Sequence, residues 1–241
     1  DETDGFIAND SSGNDHHGTL TGFPPAEVED WTQGRVDGGL DFSKTAHVAV
    51  SGFEELTDTT WSIWVNLNST VNFSAAMSAT FEGAGAGHSL GFHSGATALN
   101  PRVLWNHADG HASIISPDPV EIGQWNHLLM TYDATAGEAA LFVNGEEQGR
   151  SEVGTNPFSS FNLGRRESSS NSYIDAVLDE VRVYNRVLDL NEIQELSNVG
   201  LPSGPPEIVT QPESQTRFEG STARLSVISD GAAPLRYLWF K

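Results

Sequence analysis

The chain of 241 residues contains no cysteine, which removes disulfides, thiolate zinc sites and cysteine nucleophiles together. Positive charge is scarce: 12 lysines and arginines stand against 33 aspartates and glutamates, a formal charge of −21. A surface that negative repels phosphate backbones and anionic lipid, which argues against nucleic acid or an acidic membrane as partner. Long apolar runs are missing too, so no segment reads as a membrane-spanning helix. The chain opens at Asp1-Glu2 without Met or an apolar leader, the pattern of a mature chain or an excised fragment. Any metal would be held by oxygen or imidazole, and the acidic balance favours cations.

What is present can build a core. Hydrophobic residues make up 37% of the chain, including 12 Phe and 6 Trp, which argues against global disorder. Thr60 to Leu67 is rich in β-branched and aromatic residues and reads as a strand. Ala46–Val50, Leu90–His93, Arg102–Trp105, Ala112–Ile115, His127–Tyr132 and Ala139–Val143 read the same way. Asn144-Gly145 directly after Leu141-Phe142-Val143 predicts a two-residue hairpin turn, because both central positions of a type I′ turn take positive φ. Short strands separated by turns predict an all-β sandwich. One helix is expected: Asp189 and Glu192 form a capping box, Leu190, Ile193, Leu196 and Val199 supply the apolar stripe, and Gly200 ends it.

Leu201 to Pro206 is a linker by composition. Beyond it, Thr222–Ile228 alternates and Leu235–Phe240 begins another strand, in a tail too short for a core of its own. The expected domains are therefore 1–200, a linker 201–206, and part of a second domain over 207–241.

Several stretches, in order, carry a resemblance: Asp10-Ser11-Ser12-Gly13-Asn14 with His17-Gly18-Thr19-Leu20; Gly38 to Phe42; Trp61 to Val65; Trp125-Asn126-His127; Thr131-Tyr132-Asp133; Leu141 to Gly145; and Asp179 to Leu188. Together they resemble the bacterial laminin-G-like domains of the concanavalin A-like superfamily over roughly residues 1–200. The resemblance implies an all-β, concanavalin A-like jelly-roll β-sandwich with one short C-terminal helix. In that family an apolar edge strand usually precedes the acidic opening, and it is expected to be missing here. The tail, through Gln211-Pro212, Glu219-Gly220, Ala223 to Val227 and Tyr237-Leu238-Trp239, resembles the first strands of an immunoglobulin-like domain, with Trp239 at the core tryptophan position and Val227 where many members carry a cysteine.

Asp10 to Asp15 offers side-chain oxygens on one turn around Gly13, as a calcium loop does; the same residues also favour an Asx-turn without metal. The resemblance makes Asp10, Asn14 and Asp179 the expected ligands of a structural calcium ion, with a backbone carbonyl near His17 completing the shell. Zinc is not expected. His16 and His17 would face opposite sides of a strand, His107 and His111 flank a turn, and no HExxH spacing occurs. His127 reads as a core residue. Hydrolysis has weak support: Asp175 and Asp179 could share a strand face while Glu180 points away, and Glu27, Glu29 and Asp30 lie in a looped stretch. No Gly-x-Ser-x-Gly elbow exists, and Glu82 to Gly87 reads as a flexible loop. Trp61 and Trp64 would face opposite sides of a strand. Trp105 and His107 are the expected sugar-platform residues, with Trp31 a further candidate for exposure.

The resemblance thus implies a non-catalytic, calcium-stabilised recognition module that binds glycan or protein in adhesion, within a secreted or cell-surface bacterial multidomain protein. Two alternatives remain: an accessory carbohydrate-binding domain of a polysaccharide-degrading enzyme, and a structural spacer.

Overall fold

The computed structural model describes residues 6–23, 30–42, 45–70, 73–79, 87–107, 110–166, 172–200, and 207–230 apart from 213, 219, 223 and 224. It divides the chain into two units, Asp1–Ser197 and Asn198–Lys241. In the first, the strands are β1 (Ile7–Ala8), β2 (Gly18–Thr21), β3 (Trp31–Gln33), β4 (Gly38–Phe42), β5 (His47–Leu56) and β6 (Thr59–Leu67). There follow β7 (Ala75–Ala79), β8 (Ser89–Phe92), β9 (Pro101–His107), β10 (Gly110–Ile115), β11 (Trp125–Asp133) and β12 (Glu138–Val143). The last are β13 (Glu146–Glu152), β14 (Phe158–Leu163), β15 (Arg165–Arg166), β16 (Ser172–Tyr173) and β17 (Ala176–Tyr184), before helix α1 (Leu190–Ser197).

Two antiparallel sheets form a jelly-roll sandwich. One has eight strands in the order β1-β2-β5-β14-β7-β8-β9-β10; the other has seven, β13-β12-β11-β6-β17-β4-β3. The side-chain period of two sends one face of each strand into the shared core: Trp61, Ile63 and Val65 from β6, Leu128 and Met130 from β11, Val48 and Val50 from β5, Val103 and Trp105 from β9. In this unit the strands expected from the sequence form. So does the turn, with Asn144 at φ 50° and Gly145 at φ 82°.

An edge strand precedes the acidic loop, contrary to expectation. Ile7–Ala8 pairs with Gly18–Thr19 of β2, and the Leu20 N–H donates to the Phe6 carbonyl at 3.0 Å. Phe6-Ile7-Ala8 is a short apolar run that supplies the strand within the chain's own first residues.

β6 is buried on both faces because the helix covers the outer side of its sheet. Leu129, Ala140 and Phe142 point away from the sandwich and meet Leu188, Ile193 and Leu196. The capping box forms: Asp189 Oδ1 accepts the Asn191 and Glu192 N–H groups, and Glu192 Oε2 accepts the Asp189 N–H at 2.9 Å. The expected stripe is narrower than four residues. Leu190 is 64% exposed, since at the first helical position it lies beyond the edge of the patch, and the helix ends at Ser197, ahead of Val199 and Gly200.

In the second unit, β18 (Glu207–Thr210) pairs antiparallel with β19 (Ile228–Asp230). The expected strand Leu235–Phe240, with Trp239, lies outside the described residues, as does the loop Glu82–Ala86.

Candidate functional site

The first loop is organised by Asp10. Its Oδ1 accepts the Ser12 N–H at 2.8 Å, and its Oδ2 accepts the Ser12 hydroxyl at 2.7 Å and the His16 N–H at 3.0 Å. The Asn14 amide nitrogen donates to Ser12 Oγ, and the Asp10 N–H donates to His17 Nδ1. These bonds make the Asx-turn expected of the composition; burial is the largest single influence on the Asp10 pKa and raises it, but the bonds together hold it below its usual value. The His16 and His17 rings part company: His16 packs on Phe53 at 4.2 Å, while His17 Nε2 lies 3.7 Å from Asp15. The Asp10 carboxylate, Ser12 hydroxyl and Asn14 amide oxygen are hard donors on one exposed turn, which fits calcium.

Asp179 belongs to a separate hydrogen-bonded system. It lies on β17 opposite Trp64, at a bulge where Glu180 takes φ 51°. Its Oδ2 accepts the Val36 N–H at 2.9 Å and its Oδ1 the Glu180 N–H at 2.7 Å. Burial raises its pKa, opposed by those two N–H groups and that of Arg35. A Cβ on Gly34 would stand 2.5 Å from Oδ2, so the β3–β4 turn closes directly over the carboxylate. The Asp179 bonds run to this turn and to its own bulge, and those of Asp10 stay within the first loop. Asp179 as it stands holds the Val36 and Glu180 N–H groups.

Trp105 is not a surface platform. It is 1% exposed, stacked between His88 at 3.6 Å and Tyr132 at 4.1 Å, with its indole N–H donating to the Gly154 carbonyl at 2.9 Å. Its strand register sends it into the core together with Val103. The side chain of His107 lies outside the described residues. Trp31 is half-buried. Trp61 and Trp64 do face opposite ways, and both are buried; Trp64 carries Arg35 over its ring at 4.3 Å. His127 is fully buried, as expected.

Two of the carboxylates that could have served hydrolysis are individually engaged. Asp175 accepts the Ser69 hydroxyl, and Glu180 pairs with Arg182. Glu27 and Glu29 lie outside the described residues.

Two other places gather polar side chains. The first is a cleft of about 350 Å³ lined by Ser116, Asp118, Val120, Asn126, Asn144 and Gln148, among others. Its amides and the Ser116 hydroxyl are bonded among themselves and to the backbone. Asn144 Oδ1 accepts the His127 N–H, Asn144 Nδ2 donates to Asn126 Oδ1, and the Ser116 hydroxyl donates to Gln148 Oε1.

The second is the outer face of the eight-stranded sheet. One row of cross-strand partners there reads Ala49, Asn162, Ser78, Ser89, Leu104 and Ser113, small and mostly polar, with Asn162, Ser78, Ser89 and Leu104 buried. Beside it stand His47, Arg102, Arg165 and Arg166. Phe73, 39% exposed, lies against Arg102 and Arg166, with His93 at its edge. The Ser78 hydroxyl donates to the Arg165 carbonyl at 2.6 Å. Burial and the nearby Arg165 charge lower the His47 pKa. This face escaped the sequence reading. Its signal was the clustering of Arg165-Arg166 and Arg102 in a chain so poor in cations.

Residues 38–194 match the family model Laminin_G_3 of the concanavalin A-like lectin/glucanases superfamily. No curated protein sequence matches the chain. Among solved structures, domain 4 of AbnA, a GH43 extracellular arabinanase from Geobacillus stearothermophilus in complex with arabinotriose, is similar at 20% identity and TM-score 0.64, over 78% of this chain and 92% of that one. The binding domain of Paraclostridial Mosquitocidal Protein 1 is similar at 16% identity and TM-score 0.57, over 84% of this chain and 55% of that one. A Trypanosoma rangeli sialidase in complex with sialic acid is similar at 16% identity and TM-score 0.59, over 81% and 31%. At these identities the likeness is one of fold.

Proposed function

The chain belongs to the concanavalin A-like lectin/glucanase superfamily, and from that premise we propose that it is a non-catalytic glycan-recognition module of an extracellular multidomain protein. One observation carries the reading. The two sheets treat their outer faces differently: the seven-stranded sheet seals its own with the apolar side of α1, whereas the eight-stranded sheet carries a mostly buried polar row flanked by partly exposed arginines and the exposed ring of Phe73. Flat polar faces with an adjacent ring suit sugars, whose hydroxyls need hydrogen bonds and whose apolar faces stack on aromatics. The solved relatives with bound sugar or described as binding domains support the same reading. No helix among the described residues is long and apolar enough to cross a membrane.

Calcium belongs to the proposal as a structural ion of the first loop, held by Asp10 and Asn14 with the Ser12 hydroxyl. Bound there, it would supply charge neutralisation and rigidity in the acidic turn. Roles in adhesion and as an accessory domain of a polysaccharide-degrading enzyme are both consistent with such a module.

A glycan array probed with the full chain tests the reading. Retention on one class of plant, algal or microbial polysaccharide is expected, together with no release of reducing sugar from it. Reducing sugar released by the pure chain would replace this reading with a hydrolase.

A further inference from the structure

Arg102 projects from β9 on the face away from Val103 and Trp105, yet it is only 4% exposed. Arg166, half-buried, comes from β15. Neither guanidinium makes an ion pair or a hydrogen bond among the described residues, and Arg166 Nε is both buried and unpartnered. What they meet is aromatic and cationic. The Phe73 ring centroid lies 5.1 Å from Arg102 Cζ and 5.8 Å from Arg166 Cζ. Burial first, and then the Arg166 charge, pull the Arg102 pKa down to about 10.

A desolvated guanidinium without counter-charge is a costly arrangement, and proteins rarely keep one without use. This chain has 33 carboxylates to offer. Elsewhere it spends them freely: Arg150 pairs with Glu138 and Glu147, Arg182 with Glu180, and Arg186 with Glu192. Those three arginines belong to the seven-stranded sheet and the segment leading to its helix. On the outer face of the eight-stranded sheet, Arg102 and Arg166 have no such partner among the described residues.

Resting on the glycan-recognition reading, we infer that Arg102 and Arg166 receive a negatively charged group of the ligand, so that the module selects an acidic polysaccharide bearing uronate carboxylates or sulfate esters. Both groups match the planar, multi-donor geometry of guanidinium. Phe73 adds a flat surface for the sugar ring that carries the charge. The cleft around Asn126 and Asn144 is lined by amides bonded among themselves and by the carboxylates of Asp118, Glu121 and Glu146, and among the described residues it holds no cation that could receive an anion. The overall charge of −21 opposes polyanions at long range. That repulsion is screened beyond roughly 8 Å at physiological ionic strength, while a buried pair is screened much less. The result is selectivity, since an anion binds only where it reaches both guanidinium groups.

The test is calorimetric titration of the full chain with three oligosaccharides of matched length: an oligogalacturonate, a sulfated galactan and a neutral galactan. Binding of one or both acidic ligands is expected, with the neutral one weaker on the order of tenfold or more. The two acidic arms tell carboxylate from sulfate. Arg166→Gln, at a half-exposed position, should lose on the order of tenfold in acidic-ligand affinity, and Arg150→Gln, on the other sheet, should lose none. Inorganic sulfate should raise the unfolding midpoint of the wild type more than that of Arg166→Gln. Equal binding of neutral and acidic ligands, or indifference to Arg166→Gln, overturns the inference and leaves glycan recognition standing. Failure to bind any glycan on the panel or the array removes both.

Discussion

His127 Nε2 lies 2.8 Å from Ser62 Oγ on the outer face of the seven-stranded sheet, while its equally buried Nδ1 has no hydrogen-bond partner among the described residues. The Trp64 ring packs beside the imidazole at 5.3 Å. Desolvation, and secondarily the Arg182 charge, lower the His127 pKa from 6.5 to about 4. Between those two values the unfolded chain binds a proton that the folded chain refuses. The contribution of His127 is therefore complete above pH 6.5 and is lost as pH falls toward 4, with a size of about 3 kcal/mol. Urea unfolding at neutral and mildly acid pH should show this loss in the wild type. The loss should be much smaller in His127→Gln, and an equal acid slope in the two proteins would refute the assignment.

Trp105 is a core residue, and its loss should be felt in stability. Removing the ring takes away stacking on both His88 and Tyr132 and the hydrogen bond to Gly154. Trp105→Ala should destabilise by about 3–5 kcal/mol. Ligand affinity of the fraction that remains folded should be unchanged, as measured by calorimetry under conditions where the variant is native. A specific loss of affinity would return Trp105 to the binding site.

The fold was legible because its signals are local. Asn144-Gly145 demands positive φ at two successive positions and therefore marks a hairpin, and the alternation through β6 and β11 places Trp61 and His127 on buried faces. Asp189 and Glu192 mark the helix start for the same local reason. The site was not legible in that way. Whether Trp105 faces solvent depends on which side of β9 meets the other sheet, and composition is silent on that. That Arg102 and Arg166 converge on Phe73 depends on three segments brought together across the eight-stranded sheet. The lone local hint was charge: arginines are conspicuous in a chain with so few.

The helix cap gives a prediction of moderate size. Asp189 satisfies two otherwise orphaned N–H groups at the start of α1, and that helix shields Leu129, Ala140 and Phe142. Asp189→Ala should cost about 1 kcal/mol in denaturant unfolding. Asp189→Asn, which keeps the accepting oxygen, should recover most of it. If the two substitutions are equally harmful, the carboxylate charge rather than the cap is what matters.

The first loop decides whether calcium is part of the molecule. Asp10 already accepts three hydrogen bonds within the loop, so a bound ion would have to share its oxygens with the Ser12 and His16 donors. An ion that binds only the folded chain, at a hundred times its dissociation constant, adds about 2.7 kcal/mol. For a sandwich of this size that is a rise of roughly 5–10 °C in Tm. The expected result is such a rise with calcium over EDTA, abolished by Asp10→Ala and reduced by Asn14→Ala. Asp179→Asn separates the two carboxylates: it should disturb the β3–β4 turn and lower Tm in EDTA, while leaving the calcium increment intact. Loss of the increment in Asp179→Asn would join Asp179 to the ion. A calcium-independent Tm in the wild type would leave the loop an Asx-turn held by Asp10 alone.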